Sequence, residues 1–477
     1  MQSLDGTVQA FGILVSKGDS GMNRLHLLHN RRMRRMRPTT VMALGFLAII
    51  LTGAVLLALP VSARSGEATP FLDALFTATS ATCVTGLIRV GTATHWSGFG
   101  QAVILLLIQI GGLGFMTLAS IASFLTHRTI TLRERMVMSA GLNLTDNAGI
   151  VRLTRRVLYG TFAFEAAGAV ILSCRFIPQF GFFKGLSMGV FHSVSAFCNA
   201  GFDLLGTPDA PFLSLVDYVG DPLVNLTIMA LIVIGGLGFF VWGDIWDKRS
   251  FRHFRLHTKL VLVTTAALLL LGFGLTLLFE WNNPRTLGAL SGPEKVLAAA
   301  FQSVTLRTAG YNTIDQAALG GPAQAVSCLL MLIGGSPGST AGGIKTVAAA
   351  VLLLSAASAL RGRITVSAFG RTITPRSIMN AVTMLIVGVV VSLSGACAIA
   401  YIEDAPLHQC LFEAVSAFGT VGLTMGLTPS LHTPSCLILI VLMYLGRVGV
   451  LTLGVSVLMR HREPPKLQYP EGNVMVG

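Results

Sequence analysis

Long apolar runs recur along the chain in a fixed order with shorter amphipathic stretches: a long run, a short segment ending in glycine, a second long run. The first runs read as helices over 40–59, 153–176, 259–279 and 378–401. The second runs read as helices over 99–125, 223–242, 323–360 and 436–459. About twenty apolar residues cross a hydrocarbon core, so eight spans are expected. Between them lie 71–81, 185–196, 294–305 and 408–417, each about three helical turns. These are too short to cross and too apolar for a solvated loop. They are expected to dip into the membrane and turn back, which irregular backbone tolerates only where it is covered by protein or lines a wet cavity.

The short segments share an ending. Phe76–Gly86, Phe191–Gly201, Phe301–Gly310 and Phe412–Gly422 are rich in Ser, Thr and Ala, and their glycines are 115, 109 and 112 residues apart. The third is one residue shorter, which predicts a tighter end to its helix. Glycine lets carbonyls turn toward a narrow lumen, and four such copies can close a ring around one axis. Four helix C-termini aimed at that axis add partial negative charge, which favours a cation. The alternative is four ordinary glycine-terminated helix ends. The predicted fold is an all-α integral membrane protein of four tandem helix–pore-loop–helix repeats with pseudo-fourfold symmetry. The repeats span 39–127, 150–245, 257–361 and 376–460, flanked by a basic segment 1–38 and a tail 461–477.

Composition agrees. Of 477 residues 53% are hydrophobic and 12% charged, against about 25% charged in soluble domains. The net charge of +13 is one-sided once the spans are placed. Basic residues cluster at 24–37, 128–156, 248–259, 361–376 and 460–466, while most acids fall on the opposite side. That asymmetry puts both termini in the cytoplasm and argues against nucleic acid. The seven cysteines show no CxxC spacing and read as small buried hydrophobes. The first twenty residues lack the apolar core of a cleavable signal, and 1–28 is assigned no structure. No nucleotide-binding motif is present, no histidine cluster suggests an enzyme, and midplane acids are nearly absent. An alternating-access cation carrier is the second reading, disfavoured because its repeats are more often inverted.

Five further features stand out. The third inner helix is interrupted by Gly334-Gly335-Ser336-Pro337-Gly338-Ser339-Thr340-Ala341-Gly342-Gly343 and Lys345, which cannot remain a straight helix against lipid. Arg447 lies mid-run in the last inner helix, where an ionisable side chain is expensive. Backbone carbonyls alone satisfying it is the structural alternative. Arg307 sits inside the third motif and is expected to point behind it, toward Glu294 or Glu413. Glu165 is an acid in the second outer run with no evident partner. The matched stretches Ile110-GGLG and Ile234-GGLG are expected to allow close helix packing.

Ser303-VTLRTAGYNT, Ser416-AFGTVGLTMGLTP and the ending Tyr469-PEGNVMVG resemble the membrane subunit of Ktr-type potassium transporters, within the Trk/Ktr/HKT superfamily. The resemblance covers 38–477. It implies a potassium filter lined by the backbone of Thr82, Cys83, Val84, Thr85 and Gly86; Phe197, Cys198, Asn199, Ala200 and Gly201; Leu306, Arg307, Thr308, Ala309 and Gly310; and Phe418, Gly419, Thr420, Val421 and Gly422. It implies that 334–346 is an intramembrane gating loop, with Lys345 a charge barrier at its edge, and that Arg447 faces the path below the filter. Val450 stands where the family often has proline, which leaves the local kink open. The chain itself is expected to bind no cofactor: potassium is the substrate, sodium an activator, and ATP or ADP binds a partner. The implied assembly is a homodimer in the cell membrane with a cytosolic ring of RCK-type nucleotide-binding subunits.

Overall fold

The computed structural model describes residues 38–114, 150–363 and 365–449. Four helices, Pro38–Ala58, Ile150–Phe180, Leu256–Glu280 and Pro375–Glu403, contain windows long and apolar enough to cross a membrane. Each opens a repeat as its outer helix. A short helix follows (Phe71–Cys83, Phe182–Phe197, Gly292–Thr305, Leu407–Gly419), then an inner helix (Gly98–Leu113, Pro222–Leu237, Gly321–Leu332, Thr433–Val448). The outer helices are only 28–39% buried over their apolar windows, as lipid-facing helices must be. The short helices fill the centre: Phe76, Phe301 and Phe412 are fully buried and Phe191 nearly so.

Glycine fixes how outer and inner helices meet. A Cβ on Gly53, Gly168, Gly272 or Gly395 would lie 2.7–3.1 Å from a δ-carbon of Leu107, Leu231, Leu330 or Leu442 respectively. The same outer-helix position is therefore notched for the same inner-helix leucine in all four repeats. Small residues permit this approach where no hydrophobic effect drives helices together. The contact also aligns the repeats residue by residue.

The inner helices are shorter than their apolar runs. The first, second and fourth stop before Gly114, Gly238 and Gly449, whose φ values are +82°, +94° and +89°. After Gly238 the chain bends by 90° into Phe239–Lys248, so the continuous span expected over 223–242 is corrected to a broken one. Hydropathy counts glycine as tolerable in a span, while its left-handed φ ends the helix. The remainders of the runs over 99–125 and 436–459, with Val450 and the terminal segments, lie outside the described residues. The third inner helix stops at Leu332 and resumes as Thr346–Leu360. A small hairpin, Ser367–Ala368 paired with Arg371–Thr372, turns on Phe369 and Gly370 at φ +50° and +75°. Those signs suit a two-residue turn, and the apolar pattern carries no trace of it.

Candidate functional site

Each short helix ends in the same backbone sequence of conformations. Val84, Asn199, Thr308 and Thr420 adopt φ of +58°, +59°, +66° and +52°, and two residues later Gly86, Gly201, Gly310 and Gly422 adopt +94°, +71°, +83° and +93°. Left-handed φ costs a non-glycine residue about 1–3 kcal/mol and persists only where surroundings impose it. Three of the four are β-branched, for which it is rarer still. The turn is closed from Thr85, Ala200 and Val421 N–H to Ser80, Ser195 and Ser416 O, each 2.8 Å. In the third repeat Ala309 N–H reaches Thr305 O, 3.0 Å away and one residue nearer. The missing residue therefore tightens that helix end.

The four endings meet. A Cβ added to Gly86 would lie 2.5 Å from Ala200 O; on Gly201, 2.7 Å from Ala309 O; on Gly310, 2.5 Å from Val421 O. On Gly422 it would strike Thr85 O and come 3.0 Å from Gly86 Cα, closing the circuit. Within this ring Val84, Thr85, Asn199, Ala200, Thr308, Ala309, Thr420 and Val421 are buried. Among the described residues, the carbonyl oxygens of these eight accept no hydrogen bond. Buried carbonyls are otherwise nearly always paired, so this is a concentration of partial negative charge offered to something other than protein. Thr82, Cys83, Phe197, Phe418 and Gly419 belong instead to the last helical turns.

Hydroxyls secure the ring from behind. Ser80 and Ser416 Oγ accept from Gly86 and Gly422 N–H at 3.0 and 3.1 Å. Ser195 Oγ and Thr305 Oγ1 donate to Phe202 and Tyr311 O at 2.8 and 2.5 Å. A second set follows the repeated phenylalanine. His192 Nε2 accepts from Leu204 N–H (3.3 Å), Gln302 exchanges hydrogen bonds with Gln316 (2.7 and 3.0 Å), and Glu413 accepts from Thr424 Oγ1, Met425 N–H and Thr428 Oγ1 (2.5, 3.0 and 2.6 Å). These hold the loops beyond the ring. The first-repeat counterpart, Thr77, has no side-chain partner among the described residues. The sequence signal was available, a polar residue after each motif phenylalanine. At the outer mouth Asp203 is pushed up to about 6 by burial, against the N–H groups of Leu205 and Gly206.

Beneath the ring, Gly111, Gly235 and Gly446 bring the inner helices against Thr82, Phe197 and Phe418 O. Here 334–346 crosses as a loop. Its backbone caps the second inner helix: Ser336 N–H donates to Gly236 O (3.0 Å) and Thr340 N–H to Gly235 O (3.3 Å). Thr340 Oγ1 donates to Asn199 Oδ1 (2.9 Å) and Phe197 O (3.3 Å), and Gly342 N–H donates to Thr420 Oγ1 (3.1 Å). Lys345 turns back, its Nζ donating to Ala341 O at 2.8 Å.

Both arginines donate to backbone carbonyls at or near inner-helix ends. Arg447 donates to Thr340 O, Gly111 O and, at 3.2 Å, Gly112 O, joining the fourth repeat to the crossing loop and to the end of the first inner helix. Arg307 Nη2 donates to Gly334 O (2.9 Å) and Thr346 Oγ1 (3.1 Å). The expected pairing of Arg307 with Glu294 or Glu413 is therefore corrected. Glu294 lies thirteen residues back at the start of the short helix, about 20 Å along its axis at helical rise, where it accepts from Ser291 N–H and Oγ. Glu413 is already engaged with the outer loop. Carbonyls left over at a helix end are natural acceptors for a cationic side chain.

A ring of buried, unpaired carbonyls on re-entrant helices above a crossing loop defines a multi-pass membrane protein with a cation pathway. The chain belongs to the TrkH family of cation transport proteins, whose model matches residues 23–465. It is 41% identical over 456 residues to the potassium/sodium uptake protein NtpJ of Enterococcus hirae, covering 94% of this chain and 100% of that protein. It is 43% identical over 443 residues to the Ktr system potassium uptake protein B of Bacillus subtilis, covering 93% and 97%. In fold it matches the crystal structure of the potassium transporter TrkH from Vibrio parahaemolyticus, with a TM-score of 0.65 at 19% identity over 87% of this chain and 84% of that one.

Proposed function

We propose that this chain is the potassium-translocating membrane subunit of a Ktr-type system, with the ring as its selectivity filter. The observation that carries the reading is the eight buried carbonyls without a hydrogen-bond partner among the described residues, suited to replace the water around a dehydrated potassium ion. The names of the relatives support potassium as the ion, and one of them adds sodium. Movement is passive and inward, driven by a membrane potential worth about 2.3 kcal/mol per charge per 100 mV. Residues 334–346 and Arg447 lie across the path below the filter and act as its gate. The chain carries no nucleotide motif, so ATP or ADP acts on a cytosolic RCK-type ring docked on the basic face, and sodium stimulates uptake. The working unit is a homodimer in the cell membrane with both termini in the cytoplasm, as the one-sided basic clusters favour.

The test is rubidium or potassium uptake into liposomes under a fixed diffusion potential. Gly310→Ser places a Cβ against Val421 O at a φ of +83°, whereas Gly66→Ser has a similar φ of +74° with open space around it. We expect Gly310→Ser to reduce potassium-over-sodium preference by roughly tenfold or more, since strain at the ring is felt at every carbonyl, and Gly66→Ser to leave it intact. Unchanged uptake and preference in Gly310→Ser would remove the filter assignment.

A further inference from the structure

The second repeat carries a polar cluster behind the ring that the other repeats lack. Glu165 is buried in the second outer helix, 5% exposed. Gln109 of the first inner helix donates Nε2–H bonds to both of its oxygens, at 3.0 and 3.2 Å. The thiol of Cys198, in the second filter strand, lies 3.9 Å from Glu165 Oε1 and 4.0 Å from Gln109 Oε1. Ser193 Oγ, on the short helix that carries the strand, donates to Glu165 O at 2.6 Å.

The notched glycines show what stands at the same place elsewhere. Glu165 precedes Gly168 by three, and the residues three before Gly53, Gly272 and Gly395 are Ile50, Leu269 and Ser392. The match is independently supported, because Ser303 Oγ donates to Leu269 O as Ser193 does to Glu165 O. Gln109 precedes Gly111 by two, where the other inner helices have Val233, Leu332 and Tyr444. A carboxyl and a carboxamide thus meet in one quadrant only, where the corresponding pairs are Val233 with Leu269, Leu332 with Ser392 and Tyr444 with Ile50. Burying them costs free energy that an aliphatic pair such as Val233 with Leu269 avoids, so folding alone favours the aliphatic residues.

We propose that Glu165 is a positioning residue for ion selection: held by Gln109 of the neighbouring repeat, it fixes the Cys198 thiol and with it the spacing of the second filter strand. The strand is otherwise tied from behind chiefly by Ser195 Oγ to Phe202 O and by Thr340 Oγ1, which belongs to the crossing loop. The carboxyl anchors it to fixed helices instead. This rests on the filter reading above.

The experiment uses the full chain in liposomes, reading potassium-over-sodium preference, with melting temperature in parallel. Glu165→Leu and Gln109→Val install the residues of other repeats and are expected to lower the preference about threefold or more, the scale of a coupled contact. The exchange Glu165→Gln with Gln109→Glu keeps one carboxyl and one amide in contact and is expected to restore it. Should Glu165→Leu fail to fold, Gln109→Val and the exchange still decide. An unchanged preference in the single variants, with Gly310→Ser altered, overturns the positioning role and leaves the filter standing. An unchanged preference in Gly310→Ser as well overturns both. A lowered melting temperature with unaltered preference assigns the cluster to folding.

Discussion

The ring and the layer beneath it are built on opposite principles. The ring is fourfold in backbone: the same two left-handed positions recur in all four repeats, closed by one hydrogen-bond pattern in three and a shorter one in the third, with a hydroxyl behind each. The layer below has four inner-helix ends but no common solution to them among the described residues. The first is capped by Arg447 and the second by N–H groups of 334–346, while Arg307 holds Gly334 O in the loop just past the third. Apart from its glycines the ring is built by backbone, so four different sequences can form it. The ends depend on particular partners, an arginine in one repeat and a crossing backbone in another, so here the repeats differ. On the proposed function, ion choice sits where symmetry is retained and control where it is lost.

The largest way to test that division is to remove the crossing loop. Deleting Gly338–Gly343 takes away Thr340 and Gly342, the residues that touch Asn199 and Thr420 of the ring. Flux under a fixed potential is expected to rise on the order of tenfold, equivalent to about 1.4 kcal/mol off the barrier, while potassium-over-sodium preference changes much less. Unaltered flux would reject the loop as an obstruction. A collapse of preference with the rise in flux would show that the ring depends on the layer beneath it, and the two regions would have to be treated as one.

The sequence reveals the two regions unequally, for the same physical reason. The ring is legible because its requirements are local and repeated: glycine at a fixed distance from phenylalanine, with small hydroxyl residues between. The glycine-rich break in the third inner helix is equally plain in composition. The ends of the other three inner helices are not, because Gly114, Gly238 and Gly449 sit inside apolar runs and reveal themselves only by φ. The partners of Arg307 and Glu165 are not legible either, nor is the reach of Arg447 to the first inner helix. Gln109 and Glu165 are 56 residues apart and Arg447 and Gly111 are 336 apart, joined only once the repeats close around an axis. An acid is the partner the sequence suggests for Arg307, and the crossing loop offers Gly334 O and Thr346 Oγ1 instead.

Arg447 gives the next, smaller test. Its guanidinium reaches the crossing loop and the first inner helix together, a bridge that needs a planar fork of donors. Lysine keeps the charge but presents it as a point. Arg447→Gln is expected to raise flux by about three- to tenfold, since it removes both the bridge and the cation, a change of roughly 1 kcal/mol. If the bridge holds the loop, Arg447→Lys raises flux nearly as much. If the charge alone limits passage, Arg447→Lys stays near the wild type. The pair of variants thus separates an electrostatic barrier from a mechanical tie.

The smallest effect asks whether asymmetry reaches the outer face of the ring. Two residues beyond the filter glycines stand Ile88, Asp203, Asn312 and Thr424, so one quadrant alone carries an acid. Burial raises Asp203 from 3.8 to about 6, so the folded protein holds the proton more tightly than the unfolded chain. Stability from this group is then fully present below about pH 4 and is lost as pH rises through about 6. Asp203→Asn keeps an acceptor for Leu205 N–H, 3.0 Å from Oδ1 in the wild type, and removes the titration. The melting temperature of the variant relative to the wild type is expected to rise by roughly 2–4 °C between pH 4.5 and 7.5, the shift that about 1 kcal/mol produces in a mid-sized domain. A constant offset across that range would mean that Asp203 does not change protonation there. The outer face would then carry a fixed charge in the second quadrant, and the ring would be symmetric in backbone only.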